Sequence, residues 1–300
     1  MTQISRSRLM DPIAHPNFGV AKSGSQIEVL GDTEGVFVRK WSPAKSELAN
    51  FQLQKQKQNS FFKTQERYHG VSTPRIRSPK YPDGLHFDMD YVNLLPVCQQ
   101  LTTWSPISVN SFIQRLTDFV RLNTVERRAE KSTNKIREKI DQIIDRTPRS
   151  DALLKYAISM LEKRRESLPA TVSIPTGYEH GDLTFSNILA SNDGTRIVLI
   201  DFTISPIESP LQDIAKIKQE VLFRWSWRNS ASNNQESTRL DVNLRHIHEN
   251  VCKTFEEDFS DGLALFTFVT IARILPYAQS SHDVAWIVEA LHTIETEMSG

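Results

Sequence analysis

Three residues near the middle of the chain, Asp182, Asn187 and Asp201, have the types and spacing needed for phosphoryl-transfer chemistry. Asn187 follows Asp182 by five positions, and Asp201 comes directly after the apolar run 197–200. A carboxylate at Asp182 can orient an acceptor hydroxyl and accept its proton. The amide oxygen of Asn187 and the carboxylate of Asp201 are hard oxygen ligands, which magnesium prefers. The spacing therefore indicates one general base and two metal ligands.

The loop that contains these residues runs from His180 to Phe202 and reads HGDLTFSNILASNDGTRIVLIDF. Protein kinases have His-Arg-Asp, the same interval to an asparagine, and then Asp-Phe-Gly. Here Gly181 replaces the arginine, and Thr203 follows Asp-Phe. An accidental turn with a capping and a structural aspartate is the alternative. The order, the interval and the preceding hydrophobic strand favour the catalytic interpretation.

The His-Gly-Asp form of the loop resembles the aminoglycoside phosphotransferase and choline kinase family, which shares the kinase fold but phosphorylates small molecules. Together with LIDFTISPIESPLQDIAK, FRWSWR and RILPY, it is similar to a bacterial subgroup associated with capsule and surface-polysaccharide gene clusters. The resemblance covers roughly Gly31 to Tyr277, and its specific part is His180 to Lys216. It implies ATP and Mg²⁺ as cofactors and a small-molecule hydroxyl acceptor, expected to be a sugar or surface-polysaccharide precursor.

The same resemblance implies a lysine on an N-terminal sheet that binds the nucleotide phosphates, and Lys40 is the residue that fits. It ends the run VFVRK, in which Arg39 should point to the opposite face of an extended strand. Glu47 is the nearest acid in the helix expected to follow, so it is the predicted partner of Lys40, at a shorter interval than kinases usually have. A solvated charge at the end of a strand is the alternative for Lys40.

The segment from Met89 to Val92 has the position and pattern of the hinge whose backbone binds adenine in this family. Asp90 and Val92 are therefore predicted nucleotide contacts, with an ordinary edge strand as the alternative. No G-x-G-x-x-G motif is present. The turn from Gly31 to Gly35 has only its two boundary glycines to bring backbone amides close to phosphate.

Residues after the loop are candidates for bracing it and for binding the acceptor. Asp213 occupies the place where the family has an acid that braces the loop. Aromatic faces suit sugars and arginines suit anions, which makes Arg224, Trp225, Trp227 and Arg273 candidate acceptor contacts. Packing in the core, or a buried ion pair for Arg273, is the competing interpretation.

Regular elements must position this loop. Residues 27–30 and 36–40 predict an antiparallel hairpin, and a helix is expected from about Ser46 to Phe62. Residues 86–92 alternate like a strand and run into a break at Leu94 to Pro96, the predicted lobe boundary. Two short strands are expected within the loop, around Ile188 and at 197–200.

The chain beyond residue 95 is predicted to be mainly helical. An apolar stripe from Val109 to Val120 follows Ser108, a predicted helix cap. Residues 121–149 are predicted to form an exposed amphipathic helix, with isoleucines along one side. Further helices are expected at 213–223, 240–255, 263–275 and 284–294. The predicted fold is α+β and bilobal like a protein kinase, with a small antiparallel-sheet nucleotide-binding lobe (1–94) and a larger helical catalytic and substrate-binding lobe (95–300).

Composition restricts the class of partner. Lys plus Arg and Asp plus Glu each number 36, so no overall field favours nucleic acid or a membrane surface. Glu126, Glu130, Glu138 and Asp141 also interrupt the basic residues of the charged segment, which argues against nucleic-acid binding. The apolar stretch 262–272 is roughly half of what spans a bilayer, so a buried helix is expected. Two cysteines without redox spacing and an N-terminus without an apolar run predict a cytoplasmic location.

The predicted activity is transfer of the γ-phosphate of ATP to a hydroxyl of a small molecule, by Lys40, Asp182, Asn187 and Asp201. The alternative is a non-catalytic, nucleotide-sensing regulator that binds partners through the charged segment 127–139, although an intact Asp182 counts against it. A protein kinase is a third interpretation, disfavoured by the missing arginine and by the lack of an Ala-Pro-Glu segment.

Overall fold

The computed structural model describes residues 26–42, 44–77, 85–228 and 234–298. Its strands are β1 (Ile27–Asp32), β2 (Gly35–Trp41), β3 (Val71–Ser72), β4 (His86–Asp90), β5 (Leu95–Pro96), β6 (Thr124–Ser132), β7 (Thr171–Gly177), β8 (Ile188–Ala190) and β9 (Ile197–Leu199). Its α-helices are α1 (Leu48–Thr64), α2 (Val97–Gln100), α3 (Pro106–Asn123), α4 (Asn134–Arg146), α5 (Ala152–Ser167), α6 (Pro210–Val221), α7 (Asn234–Ile247), α8 (Lys253–Ala272) and α9 (Ser281–Glu297). The N-terminus used to argue against a secretory signal lies outside the described residues.

The N-terminal lobe is a three-stranded antiparallel sheet, in the order β1-β2-β4, with helix α1 packed on it. The predicted hairpin is present, since β1 and β2 pair from Ile27 opposite Lys40 to Asp32 opposite Gly35. The predicted helix is also present, as α1. The small apolar core between sheet and helix consists of Val38, Phe51, Phe87 and Met89.

The C-terminal lobe has its own, much larger hydrophobic core, formed mainly by α3 to α6, α8 and α9. Phe61 of α1 belongs to this second core, where its ring lies 5.4 Å from that of Phe202 and 5.8 Å from that of Phe119. Helix α1 therefore contacts both cores. Two cores joined by one helix give the bilobal α+β arrangement that the sequence predicted.

Strands β8 and β9 of the loop join β3 and β5 in a separate four-stranded sheet, in the order β3-β9-β8-β5. Strand β5 begins at the predicted lobe boundary and pairs antiparallel with β8. Strand β3 precedes that boundary and pairs parallel with β9. This sheet therefore combines strands from both sides of residue 94, and the division at that residue stays a prediction.

The prediction of one exposed helix at residues 121–149 is wrong. Residues 121–123 end α3, and strand β6 follows and pairs antiparallel with β7, which begins 39 residues after β6 ends. Helix α4 comes after β6, and its isoleucines are buried in the large core. A local charge pattern cannot show a strand whose pairing partner lies so far along the chain. Neither β7 nor α5 was predicted.

Two helix boundaries also differ from the prediction. Ser105, not Ser108, caps α3, because its hydroxyl accepts a hydrogen bond from the Ser108 backbone N–H at 3.1 Å and Pro106 follows it. The first turn is exposed at Ile107, so it lies outside the apolar stripe used to place the cap. The helix predicted at 240–255 is divided into α7 and α8 by a π-helical turn, His248–Cys252.

One helical stretch of the described chain, 235–277, is long and apolar enough to cross a membrane by length and composition alone. However, 67% of its most apolar window is buried inside the protein. Core helices of globular proteins meet the same criterion, so this is weak evidence for a membrane span. The burial agrees with the core helix predicted at 262–272.

Candidate active site

Strands β8 and β9 bring Asn187 close to the segment that carries Asp201. The two strands are antiparallel, with Ile188 opposite Leu199, so the start of one lies beside the end of the other. The Ile200 backbone N–H donates to the Asn187 carbonyl at 3.0 Å. Two residues that are 14 positions apart in the sequence are thus held at the same end of a two-stranded ladder.

Asn187 also fixes the position of Asp182. Its side-chain Nδ2 donates to the Asp182 backbone carbonyl at 2.8 Å and to Asp182 Oδ2 at 2.9 Å. Because both amide N–H groups are used in this way, the amide oxygen is the atom left to bind a cation. The role of Asn187 as a metal ligand stays a prediction.

Two cations hold the other oxygen of the Asp182 carboxylate. Lys216 Nζ on α6 and Arg273 Nη2, just after α8, each lie 2.8 Å from Asp182 Oδ1. Burial alone would raise the pKa of Asp182, but Lys216 and Arg273 outweigh it and hold that pKa well below its usual range. Burial, with Arg273 nearby, lowers the pKa of Lys216 to about 8. The candidate base is therefore ionised at neutral pH.

Lys40 connects the small lobe to the predicted metal ligand Asp201. Its side chain is buried, and Nζ lies 2.9 Å from Asp201 Oδ1. Arg39 points to the other face of β2, as predicted, and binds Asp88 through two hydrogen bonds of 2.8 and 2.9 Å. Asp201 has a φ of 62°, a left-handed backbone that is rare outside glycine and is concentrated at functional sites.

The predicted pair between Lys40 and Glu47 is not formed. Glu47 is exposed in a one-turn helix, Lys45–Glu47, that precedes α1, while Lys40 pairs with Asp201. Helix α1 contains no aspartate or glutamate, so the helix that packs on the sheet offers no carboxylate to Lys40. Glu47 follows Lys40 so closely in the sequence that it lies before the first residue of α1 and not on the helix itself.

The predicted hinge begins where β4 ends. The Asp90 carboxylate binds Arg77 at 2.7 Å and Arg75 at 3.1 Å. Its backbone N–H donates to the Arg75 carbonyl at 3.0 Å, and the Val92 carbonyl accepts from the Leu94 N–H at 3.0 Å. The acidic side chain of Asp90 is thus held by two arginines, and a nucleotide contact here would involve the backbone. That role stays a prediction.

Asp213 braces the start of the loop, as predicted. Its two carboxylate oxygens accept hydrogen bonds from the backbone N–H groups of His180, at 2.7 Å, and Gly181, at 2.8 Å. Burial, together with the nearby Glu179, raises the pKa of Asp213 to about 7. The position of Asp213 near the start of α6 therefore determines where the His-Gly-Asp turn lies.

The residue types of the His-Gly-Asp turn follow from its packing. Burial lowers the pKa of His180 to about 4, so its ring is neutral. The ring donates from Nε2 to the Ile200 carbonyl at 2.8 Å, while Nδ1 accepts from the Asp182 N–H at 3.2 Å. Gly181 has a φ of 89°, and a Cβ there would lie 2.4 Å from the Thr203 carbonyl oxygen. Only glycine fits this position without strain.

Sequence reasoning missed four charged residues that support the loop. Lys57 of α1 binds Glu179 at 3.1 Å and the Thr203 carbonyl at 2.7 Å. Glu220 accepts a hydrogen bond from the Phe185 N–H at 3.3 Å. Lys216, which binds Asp182, is the fourth. Every residue of α6 is buried, including Lys216 and Glu220.

Only α6 carried a signal that could have revealed these residues. Lysine and glutamate side chains must find partners if the helix that carries them is buried. The pattern does not tell which partners they find. For Lys57 and Glu179, 122 positions apart, the sequence shows no such signal.

Of the four acceptor-contact candidates, only Arg273 lies at the base. Trp225 has the Arg228 guanidinium 3.7 Å from its ring centroid and the Trp286 ring at 5.4 Å. Trp227 packs against the large core, and Arg224 forms an ion pair with Asp241. Trp227 thus agrees with the competing interpretation of core packing. Arg224 is exposed and Trp225 is only partly buried, so their role as acceptor contacts stays a prediction.

Comparison with solved structures identifies the fold. No family model and no curated protein matches the sequence. A thermostable mutant of aminoglycoside phosphotransferase APH(4)-Ia, in ternary complex with AMP-PNP and hygromycin B, aligns with a TM-score of 0.60 at 14% identity, over 99% of this chain and 97% of that one. Choline kinase LicA from Streptococcus pneumoniae aligns with a TM-score of 0.55 at 13% identity, over 90% of each chain. The chain therefore has the kinase-like fold of these structures.

Proposed function

We propose that this chain is an ATP- and Mg²⁺-dependent phosphotransferase related to the aminoglycoside phosphotransferases and choline kinases. It would transfer the γ-phosphate of ATP to a hydroxyl of a small molecule. The observation that carries the proposal is one connected network of contacts. Lys40 binds Asp201 at 2.9 Å, and the Asn187 carbonyl accepts a hydrogen bond from Ile200, the residue before Asp201. The Asn187 side chain in turn binds the Asp182 carboxylate at 2.9 Å. The fold shared with an AMP-PNP and hygromycin B complex supports it.

Asp182 would act as the base. As the acceptor oxygen forms its bond to the γ-phosphorus, the bond to ADP breaks and ADP leaves with its electron pair. The hydroxyl proton passes to the Asp182 carboxylate and then to solvent. Lys216 and Arg273 stabilise the ionised carboxylate, so Asp182 is a weak base that orients the hydroxyl and takes the proton late, which suits the loose transition state of phosphoryl transfer.

Asn187 and Asp201 fit a magnesium site. They supply an amide and a carboxylate oxygen at neighbouring strand ends, and magnesium is usually held by few protein ligands together with substrate phosphates. When bound, the ion would neutralise charge on the phosphates. Lys40, which lies beside Asp201, would bind phosphate oxygens directly.

A panel of acceptors tests the proposal. ADP release should depend on MgATP and on an acceptor, in a panel of neutral and charged sugars, surface-polysaccharide precursors, choline and aminoglycosides that include hygromycin B. A sugar or a polysaccharide precursor is the proposed acceptor class, because of the resemblance of residues 180–216. Stabilisation of the protein by MgATP without turnover on any acceptor would instead favour the nucleotide-sensing regulator.

A further inference from the structure

A cavity of about 360 Å³ lies next to the candidate base. Its walls are helix α4, the end of α8 and the segment 204–206 that follows Asp201. Arg273 connects this cavity with the candidate base. It lines the cavity, and it donates a hydrogen bond to Asp182 Oδ1 at 2.8 Å. A molecule in the cavity would thus be separated from Asp182, the predicted proton acceptor, by the side chain of Arg273.

Helix α4 forms one wall with its polar face. Residues 135, 138, 139 and 142 line the cavity and have the i, i+3, i+4, i+7 spacing of a single helix face. The opposite face carries Ile136, Ile140 and Ile143, which are buried in the large core. Because the apolar face fixes the helix, its polar side chains are presented to the cavity from a rigid element.

The charge of this lining is mainly positive. Lys135, Lys139 and Arg273 are cationic, and Glu138 is the single acid among the lining residues. Lys139 is half-buried and has no carboxylate within ion-pair distance in the part of the chain that the structure describes. Burial, together with Arg273 and Arg146, lowers its pKa. A partly desolvated ammonium without a counter-ion is costly, and an anion in the cavity would offset that cost.

We propose that this cavity binds an anionic group, a phosphate or a carboxylate, on the same acceptor molecule that is phosphorylated. Lys139 and Lys135 would pair with the anion, and Arg273 would lie between it and Asp182. The inference rests on the proposed function and specifies its acceptor class. Cationic acceptors are disfavoured, because they would place a like charge beside Lys135 and Lys139.

The test uses a free anion and anionic groups attached to sugars. Saturating MgAMP-PNP is present throughout, so that the nucleotide site is filled. Inorganic phosphate, glucose 6-phosphate and glucuronate are the anionic probes, methyl glucoside is neutral and glucosamine is cationic. Thermal shift at constant ionic strength measures binding. At least one anionic probe should stabilise the wild type, and the double variant Lys135→Gln/Lys139→Gln should bind it about 10- to 100-fold more weakly, as expected for lost charge-assisted hydrogen bonds.

The matched control is Lys163→Gln, the same change at an exposed lysine of α5, which should bind the anions like the wild type. Equal anion binding in the double variant, or stabilisation by the neutral or cationic sugar but by no anion, would overturn the inference, as would stabilisation by no probe at all. Failure of MgAMP-PNP itself to stabilise the wild type would instead count against the proposed function. The two failures are therefore distinguishable.

Discussion

At the scale of single residues, the balance of charge around Asp182 is the feature that most affects chemistry. A carboxylate in this position is costly to bury, and the two contacts from Lys216 and Arg273 offset that cost. Lys216 is itself fully inside the protein, so its proton depends on the same balance. The protonation state of Lys216 should therefore control the activity at alkaline pH.

The alkaline limb of the pH profile tests this dependence. Burial and Arg273 lower the pKa of Lys216 to about 8, so kcat should fall as the pH rises through about 8, where Asp182 loses the positive charge of Lys216 beside it. In Lys216→Arg the fall should move to higher pH, because a guanidinium keeps its proton. The measurement is kcat against pH at saturating substrates. An alkaline limb at the same pH in both proteins would assign it to another group.

The residue types near the loop could be predicted from the sequence, but their charge partners could not. The spacing of Asp182, Asn187 and Asp201 has a direct chemical meaning, and the structure brings all three together. The sequence predicted Glu47 as the partner of Lys40, because it was the nearest acid. The structure pairs Lys40 with Asp201, 161 positions away, a distance that no local pattern reports.

At the scale of elements, helix α1 determines how the two lobes meet at the loop. Phe51 packs in the small core and Phe61 in the large one. Between them, Lys57 binds Glu179, directly before His180, and the Thr203 carbonyl, two residues after Asp201. One buried lysine thus connects this helix to both ends of the loop.

Replacing Lys57 should destabilise the protein strongly. In Lys57→Met the almost fully buried Glu179 loses its cation, and breaking a buried pair in this way costs about 3–5 kcal/mol. Urea denaturation measures the free energy of unfolding. The double variant Lys57→Met/Glu179→Gln should recover part of the loss, and Lys63→Met, at an exposed position of the same helix, should be nearly neutral. A loss as large in Lys63→Met would show that the ion pair is not the cause.

The turn at Gly181 gives a second prediction at this scale. Gly181→Ala should lose about 1–3 kcal/mol of stability, because its Cβ would meet the Thr203 carbonyl at 2.4 Å in a left-handed backbone. Gly31→Ala is the matched control, since nothing lies within 4 Å of a Cβ there. Thermal denaturation of both variants measures the difference. Equal stability of the two would contradict the packing described for the turn.

Elements could be predicted from the sequence where their pattern is local and not where it depends on a distant partner. The β1–β2 hairpin and α1 follow from short apolar runs and a glycine-bounded turn. Strand β6 was mistaken for helix because its partner β7 begins 39 residues after β6 ends. The amphipathic pattern of α4 was recognised, but its buried face was assigned to the surface.

At the scale of the whole molecule, the candidate site combines residues from the small sheet and from the helical lobe. Lys40 comes from the small sheet, Asp201 and Asn187 from the strands of the loop, and Lys216 and Arg273 from the helical lobe. Nucleotide binding should therefore stabilise the whole protein, by about 2.7 kcal/mol at a ligand concentration of 100 times Kd. The candidate base, Asp182, belongs to a different part of the same network, so we expect nucleotide binding and turnover to be separable by mutation.

Comparison of the wild type with Asp182→Asn at saturating MgATP and the best acceptor of the panel tests this separation most directly. Asparagine keeps the size of the side chain and removes its ability to accept the proton. We expect kcat to fall about 10²- to 10⁴-fold, while the Kd for MgATP, measured by thermal-shift titration, stays nearly unchanged. An unchanged kcat in Asp182→Asn would contradict a phosphotransferase that uses Asp182 as its base.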